Sequence, residues 1–339
     1  MTLRVGINGF GRIGRLALRA WYRHHRRDFE VVAINGRTPA DMHAHLLRYD
    51  SVYGRFPAPI EVAGDRLVID GAHEVRVLEQ EDPAQIPWGD LGVEVVVEST
   101  GAFREGPRAA VHIRDSVRKV LITAPAKNED WTVIAGVNHD EYDPARHHVV
   151  SAGSCTTNCV VPMVKVLHDG FGIERAFLST IHSYTRDQNL VDAKHKDLRR
   201  ARAAADNIIP TSTGAAGAVG KVIPELSGKI DGVAFRVPTA AVSVVDLVCD
   251  LEQTVSAGAV NEAFLAAAEG PMKGYLYYER DELVSSDFRE HPGSAIVDAP
   301  ATMIVDGGMA KTIGWYDNEW GYACRIADLC ALFAERGVS

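Results

Sequence analysis

The chain has 339 residues, 46% of them hydrophobic and 24% charged, enough for about two domains each with its own core. That composition excludes wholesale disorder, and 36 Lys and Arg against 45 Asp and Glu, a net charge of −9, argue against a surface built to neutralise nucleic acid or anionic lipid. No apolar run is long enough to span a membrane, MTLRVGINGF lacks the pattern of a secretory leader, and the five cysteines form no CxxC pair. A cytoplasmic chain with no membrane segment, disulfide framework or zinc knuckle is therefore expected.

Residues 3–8 (LRVGIN) read as a strand ending in the turn Gly9, Gly11, Gly14. Behind the turn, Ile13, Leu16, Ala17, Ala20 and Trp21 make the stripe of an amphipathic helix that ends near His24, His25, Arg26 and Arg27. Residues 31–35 (VVAIN) complete a βαβ unit. The apolar runs 93–97, 119–123 and 133–137 have the character of strands buried on both faces of a parallel sheet. Residues 67–69 and 75–77 flank Asp70-Gly71 as a hairpin expected at one edge of that domain. After Cys155 the runs 177–184, 233–238, 244–251 and 311–315 predict a mostly antiparallel sheet, and 318–335 reads as a terminal helix with Ile326, Leu329, Cys330 and Phe333 on one face. The fold class is thus α/β. A Rossmann dinucleotide-binding domain is expected over 1–154 and an α+β catalytic domain over 155–317, with a C-terminal helix over 318–339 packing back on the first domain.

Gly9-Phe10-Gly11-Arg12-Ile13-Gly14 matches GxGxxG, follows a strand and opens a helix, the context in which this motif cradles a pyrophosphate. The acidic residue expected at the end of the second strand is missing, for the chain reads Asn35-Gly36-Arg37. A small residue beside a guanidinium leaves room and charge for a 2′-phosphate, which favours NADP. Alternatively, Arg37 is a solvated loop residue and NAD binds through the other contacts. In SCTTNC, Cys155 starts an apolar-periodic segment, so the helix field would favour its thiolate, whereas Cys159, one turn on, reads as core. His182 in LSTIHSYT is a candidate base.

GINGFGRIGR, SCTTNC, HSYT, DLRRARAAA, IIPTSTGAA, FRVPT, VSVVDL and WYDNEWGY occur in the order and approximate spacing of phosphorylating glyceraldehyde-3-phosphate dehydrogenases, and the chain resembles that family along essentially its whole length. The resemblance implies that Cys155 attacks the aldehyde to give a thiohemiacetal, that His182 accepts its hydroxyl proton, and that inorganic phosphate then attacks the thioacyl enzyme. It gives the substrate phosphate to Thr185 and Arg236, and the attacking phosphate to Ser154, Thr156, Arg200, Thr213 and Gly214. On the cofactor side it implies Asn8, Gly9, Arg12, Ile13, Gly14 and Thr123, with Asn318 orienting the nicotinamide carboxamide. Thr100-Gly101 is expected to close over the same pocket.

Three departures from the family pattern stand out. Gly36 replaces an Asp usual in NAD-strict members, Ala193-Lys194 replaces Leu-Pro in a loop that reaches a neighbouring subunit's cofactor, and Glu81 stands where an arginine is common. Gly36, Arg37, Ala193 and Lys194 point to NADP in the biosynthetic branch, and the loop implies a homotetramer. Erythrose-4-phosphate dehydrogenase is the alternative within the family, favoured by DLRRARAAA and opposed by STGAA. A Cys/His acyl hydrolase would have no use for the glycine turn, and a cofactor-binding regulator would not need Cys155, His182, Arg236 and Asn318 together.

Overall fold

The strand Leu3–Asn8 is apolar because it is covered on both faces, and it pairs in parallel with Phe29–Asn35 on one side and Val95–Glu98 on the other. The computed structural model describes residues 2–339 and divides into two units. The first unit comprises the chain up to Val133, Glu141–Gly153 and Ala323–Ser339. Among the described residues its sheet has nine strands, in the order Trp131–Thr132, Val149–Ser151, Lys119–Ile122, Val95–Glu98, Leu3–Asn8, Phe29–Asn35, His73–Leu78, Arg66–Ile69, Ile60–Val62. The first seven run parallel, and the expected hairpin extends the far edge antiparallel.

Helix Arg12–Ala20 buries Leu16, Ala17 and Ala20 and widens into a π turn over Trp21–His25. The expected strand at 133–137 does not form. The edge strand is Trp131–Thr132, after which the chain turns, with Val137 N–H donating to the Ile134 carbonyl at 3.0 Å and the Asn138 side chain accepting from Ile134 N–H at 2.7 Å. These residues are apolar because the turn is buried, and Ile134–Asp140 falls with the second unit. The terminal helix is Trp320–Arg336, two residues later than its apolar pattern suggested, because Asp317 Oδ1 accepts from the N–H groups of Glu319 and Trp320. Its distal part belongs to the first unit: Phe333 packs on Tyr142, whose hydroxyl donates to the Gly337 carbonyl, and Asp328 meets His25 Nε2 at 2.8 Å.

The second unit is Ile134–Asp140 and Ser154–Tyr322. Its strands run in the order Ile209–Ser212, Ile230–Val237, Ile173–Ser183, Ser243–Leu251, Met309–Tyr316, Ala295–Asp298, Leu276–Glu279, with Met303–Val305 beside Met309–Tyr316. Most pairs are antiparallel, while Ile173–Ser183 with Ile230–Val237 and Leu276–Glu279 with Ala295–Asp298 are parallel. Helix Cys155–Phe171 lies on this sheet, burying Cys159, Val160, Met163, Val164 and Leu167 among Ile173, Leu178, Val245 and Leu247. It comes so close at Gly314 that a Cβ there would overlap Met163 Sδ. Among the described residues no helix is long and apolar enough to cross a membrane.

Candidate active site

Cys155 is the first residue of its helix because Ser154, in extended conformation, caps it: Ser154 Oγ accepts from Thr157 N–H at 3.0 Å. Asn158 Nδ2 donates back to the Ser154 carbonyl at 2.9 Å, so the turn before the thiol is held from both sides. Cys155 keeps partial solvent access, whereas Cys159 is buried and its thiol donates to the Gly314 carbonyl at 3.6 Å.

His182 comes from the end of strand Ile173–Ser183, and the parallel register sets it beside Arg236 on the next strand. Its Nε2 is 3.4 Å from Cys155 Sγ. Its Nδ1 lies between the Ser183 carbonyl oxygen, an acceptor at 2.7 Å, and Arg236 Nη1, a donor at 2.8 Å. Nε2 faces the thiol. Arg236 Nη1 donates to the same Ser183 carbonyl at 3.0 Å and sits 2.8 Å from Nδ1. Burial, then the positive charge of Arg236, push the imidazole down to about 3. Burial raises the Cys155 thiol, against the lowering effect of Arg236 and of hydrogen bonds from Thr156. The helix start alone therefore does not set this thiol's acidity; burial opposes it and outweighs it in the isolated side chain.

The remaining anion-binding candidates belong to the same unit. Arg200 donates through Nε to Thr211 Oγ1 at 2.8 Å and through Nη2 to the Ser212 carbonyl at 3.3 Å, and its Nη1 pairs with Asp187. That carboxyl is lowered despite its partial burial, by the Arg200 hydrogen bond and charge. Thr213 and Gly214 follow directly, Gly214 as the N-cap of helix Ala215–Val222, with Thr213 Oγ1 accepting from Ala215 N–H at 3.2 Å. The backbone N–H of Thr185 donates to Gln188 Oε1 at 3.4 Å. Thr156 Oγ1 and Thr180 Oγ1 each meet the Tyr316 hydroxyl at 2.9 Å, and that ring stands edge-on to His182. Sequence reasoning missed Tyr316 and Asp187; Tyr316 lies inside the WYDNEWGY segment and offered that much signal. Asn318 Oδ1 accepts from the Ser243 hydroxyl at 3.0 Å, and Ser243 Oγ in turn accepts from Ser183 N–H. Ala193 and Lys194 are exposed on the loop before Arg200.

The first unit holds the glycine turn. Gly9 adopts φ +94, where a Cβ would lie 2.6 Å from Thr100 N, and a Cβ on Gly14 would overlap the Gly9 carbonyl oxygen. Gly11 caps the helix, and Ile13 is half-buried in its first turn. Ser99 Oγ donates to the Gly9 carbonyl at 2.6 Å, and Arg12 pairs with Asp50 at 2.5 Å. Asn8, Thr100 and Thr123 all reach Glu98: Asn8 through its amide, Thr100 through N–H and hydroxyl, Thr123 through the Glu98 carbonyl. The backbone at Gly36 differs from the open space expected there, because a Cβ would lie 2.6 Å from His43 Nε2 and the imidazole already fills that side. Arg37 faces Glu81 at 3.8 Å, both side chains 79% exposed.

Comparison with known proteins adds a family to this geometry. "Glyceraldehyde 3-phosphate dehydrogenase, NAD binding domain" matches residues 3–106, and "Glyceraldehyde 3-phosphate dehydrogenase, C-terminal domain" matches 154–318. The chain belongs to the glyceraldehyde 3-phosphate dehydrogenase family. It is 54% identical over 338 residues to the glyceraldehyde-3-phosphate dehydrogenase of Geobacillus stearothermophilus, covering 100% of both chains. It is 52% identical to that of Streptomyces coelicolor, over 97% of this chain and 98% of the relative, and 51% identical to that of Mycolicibacterium smegmatis, over 98% of each. Within this member of the glyceraldehyde 3-phosphate dehydrogenase family, the first matched segment contains the glycine turn and Thr100, and the second runs from the Ser154 cap to Asn318.

Proposed function

We propose that the chain catalyses the reversible phosphorylating oxidation of glyceraldehyde 3-phosphate to 1,3-bisphosphoglycerate. The observation that carries this reading is the Cys155 thiol at a helix start, 3.4 Å from Nε2 of His182, in a chain that matches its relatives end to end. Passing the thiol proton to Nε2 leaves the two charges in contact, and their attraction offsets the burial that opposes each charge alone. The thiolate then attacks the aldehyde carbon, the imidazolium donates to the forming hydroxyl, and the imidazole later takes that proton back. Loss of hydride from the thiohemiacetal carbon, together with that proton, leaves a Cys155 thioester, and phosphate attack on it releases the acyl phosphate and returns the thiolate.

Arg236 Nε is buried and finds no hydrogen-bond partner among the described residues, which suits it, with Thr185, to the substrate's own phosphate. Ser154, Thr156, Arg200, Thr213 and Gly214 supply hydroxyls, a guanidinium and a helix N-terminus for the attacking phosphate. The residues of the first unit fit a dinucleotide, since Gly9 and Gly14 leave backbone where any side chain would collide. Asn8, Gly9, Gly11, Arg12, Ile13, Gly14, Thr100 and Thr123 would hold it. Asn318, its amide oxygen committed to Ser243, keeps its N–H groups for the carboxamide. When bound, the dinucleotide supplies the hydride acceptor.

The missing carboxylate at Gly36, with Arg37 and Lys194, supports NADP over NAD. The Arg37–Glu81 pair, exposed and weak, competes for that guanidinium without blocking it. The exposed apolar side chains Phe177, Leu190, Val191, Leu198 and Ile208 of the second unit support a homotetramer, and five free thiols support a reducing, cytoplasmic setting. Sedimentation velocity that found only monomer at micromolar concentration would sink the assembly. Initial rates with glyceraldehyde 3-phosphate, inorganic phosphate and each dinucleotide test the rest. Cys155→Ser should lower turnover at least about a thousandfold, and turnover independent of phosphate would refute the reaction.

A further inference from the structure

Four neighbouring parallel strands, Val95–Glu98, Leu3–Asn8, Phe29–Asn35 and His73–Leu78, end at the same edge of the first sheet, the edge at which such sheets bind dinucleotides. A chain of buried side-chain hydrogen bonds laces those ends together, and Trp88 sets its polarity; the Asn8 Nδ2 to His112 Nε2 separation of 3.4 Å is then a contact between two donors that share Glu98. Trp88 Nε1 can only donate, and its partner is His112 Nδ1 at 3.2 Å, so Nδ1 is bare and the imidazole proton is on Nε2. Nε2 donates to Glu98 Oε2 at 3.2 Å, and the same oxygen accepts from Asn8 Nδ2 at 2.6 Å. The other oxygen, Oε1, accepts from Thr100 N–H at 2.9 Å and from the Thr100 hydroxyl. Asn8 Oδ1 is thereby turned to Asn35, whose Nδ2 donates to it at 2.8 Å and whose Oδ1 accepts from Gln80 N–H at 2.9 Å.

Glu98 is the centre of this chain. Its side chain is 1% exposed and that of His112 is 0% exposed, so neither faces solvent or a ligand. Its carbonyl accepts from both the N–H and the hydroxyl of Thr123, at 3.0 and 3.2 Å. Asn8, Thr100 and Thr123 are three of the residues given above to the dinucleotide, and all three are oriented by one buried residue that does not reach the ligand. We propose that Glu98 is a positioning residue for dinucleotide binding, holding Asn8 and Thr100 on either side of the glycine turn in the orientations the ligand meets, with His112 and Trp88 fixing Glu98 in turn. This inference rests on the dinucleotide reading and extends it to residues that the sequence motifs do not mark.

Glu98→Gln keeps the shape and places an NH2 group against donors whichever way the amide turns, because all the side-chain contacts of Glu98 are donors. The dissociation constant for NADP and for NAD, titrated into the ligand-free protein by tryptophan fluorescence, should rise at least tenfold. The KM for dinucleotide should rise with it, while kcat at saturation and the KM for aldehyde stay within threefold. An unchanged dissociation constant in a folded Glu98→Gln protein overturns the proposal. Should that variant not fold, His112 decides. His112→Gln retains a donor towards Glu98 and an acceptor towards Trp88, and should bind dinucleotide within threefold of the parent, whereas His112→Leu should bind at least tenfold more weakly. Equal weakening in both, or lower thermal stability with unchanged binding, would mean packing alone and would overturn it. A parent protein that binds neither dinucleotide would instead refute the functional reading.

Discussion

At His182 two effects act in opposite directions on one proton. Burial and Arg236 push the imidazole down to about 3, while the thiol 3.4 Å away gains from having that imidazole as a proton acceptor. Removing the ring leaves Cys155 with burial as the leading influence on its acidity, and burial raises it. His182→Asn should therefore lower kcat about 10²- to 10⁴-fold, the usual worth of a general base, and move the midpoint of iodoacetamide alkylation to higher pH. A variant that alkylates at the same pH as the parent would show that the pair does not share the proton. Gly36 is a second case of neighbours deciding. Its lack of a side chain is matched by His43, which stacks edge-on to Phe10 and occupies the vacated side. Gly36→Asp restores the carboxylate whose absence supports the proposed NADP preference, at the cost of displacing that ring. Its kcat/KM for NADP should fall at least about tenfold, roughly the effect of one charged contact, and a ratio of NADP to NAD rates that does not move would refute the cofactor assignment.

Among the elements, helix Cys155–Phe171 is the one on which the site depends, since its first residue carries the thiol. Its height over the sheet is set where Met163 and Cys159 meet the bare backbone of Gly314. Gly314→Ala should destabilise the protein by about 1–3 kcal/mol through overpacking, read as a lower midpoint in thermal unfolding; a midpoint equal to the parent's would mean the helix yields easily. Local pattern was enough to find this helix, the glycine turn and the hairpin around Asp70, because each is written in consecutive residues. It was not enough at 133–137, where an apolar run proved to be a buried turn, nor at Val149–Ser151, a three-residue strand too short to show a period. The pairing of His182 with Arg236 depends on the register between strands some fifty residues apart in sequence, and the chain through Trp88, His112 and Glu98 joins residues from separate elements. No local signal marks such contacts. The family motifs supplied Arg236, but Tyr316 and Glu98 required the folded chain.

For the whole molecule, the His25 contacts tie stability to pH. Burial acts to lower this imidazole, but the hydrogen bonds it donates to Asp328 and Asp28 and their charges raise it overall, and Asp328 is lowered in spite of its own burial, by Arg325 and His25. A raised imidazole stabilises fully below its ordinary value near 6.5 and loses that contribution as pH rises through its folded value; the lowered Asp328 contributes above its ordinary value near 4. The unfolding midpoint should therefore drop by about 2 °C on passing above neutrality, and His25→Asn should flatten that drop; an equal drop in the variant would exclude the contact as its source. The same contacts join the two extremes of the chain, for His25 is made early and Asp328 late. Translation completes residues up to Gly153 while the Ala323–Ser339 segment of the same unit is still unmade, and at ordinary ribosomal speeds the wait is roughly 10–40 s. During that interval Tyr142 has neither Phe333 nor the Gly337 carbonyl, and the half of the chain with the dinucleotide fold must remain unfinished without aggregating. The first unit to leave the ribosome is thus the last to be closed.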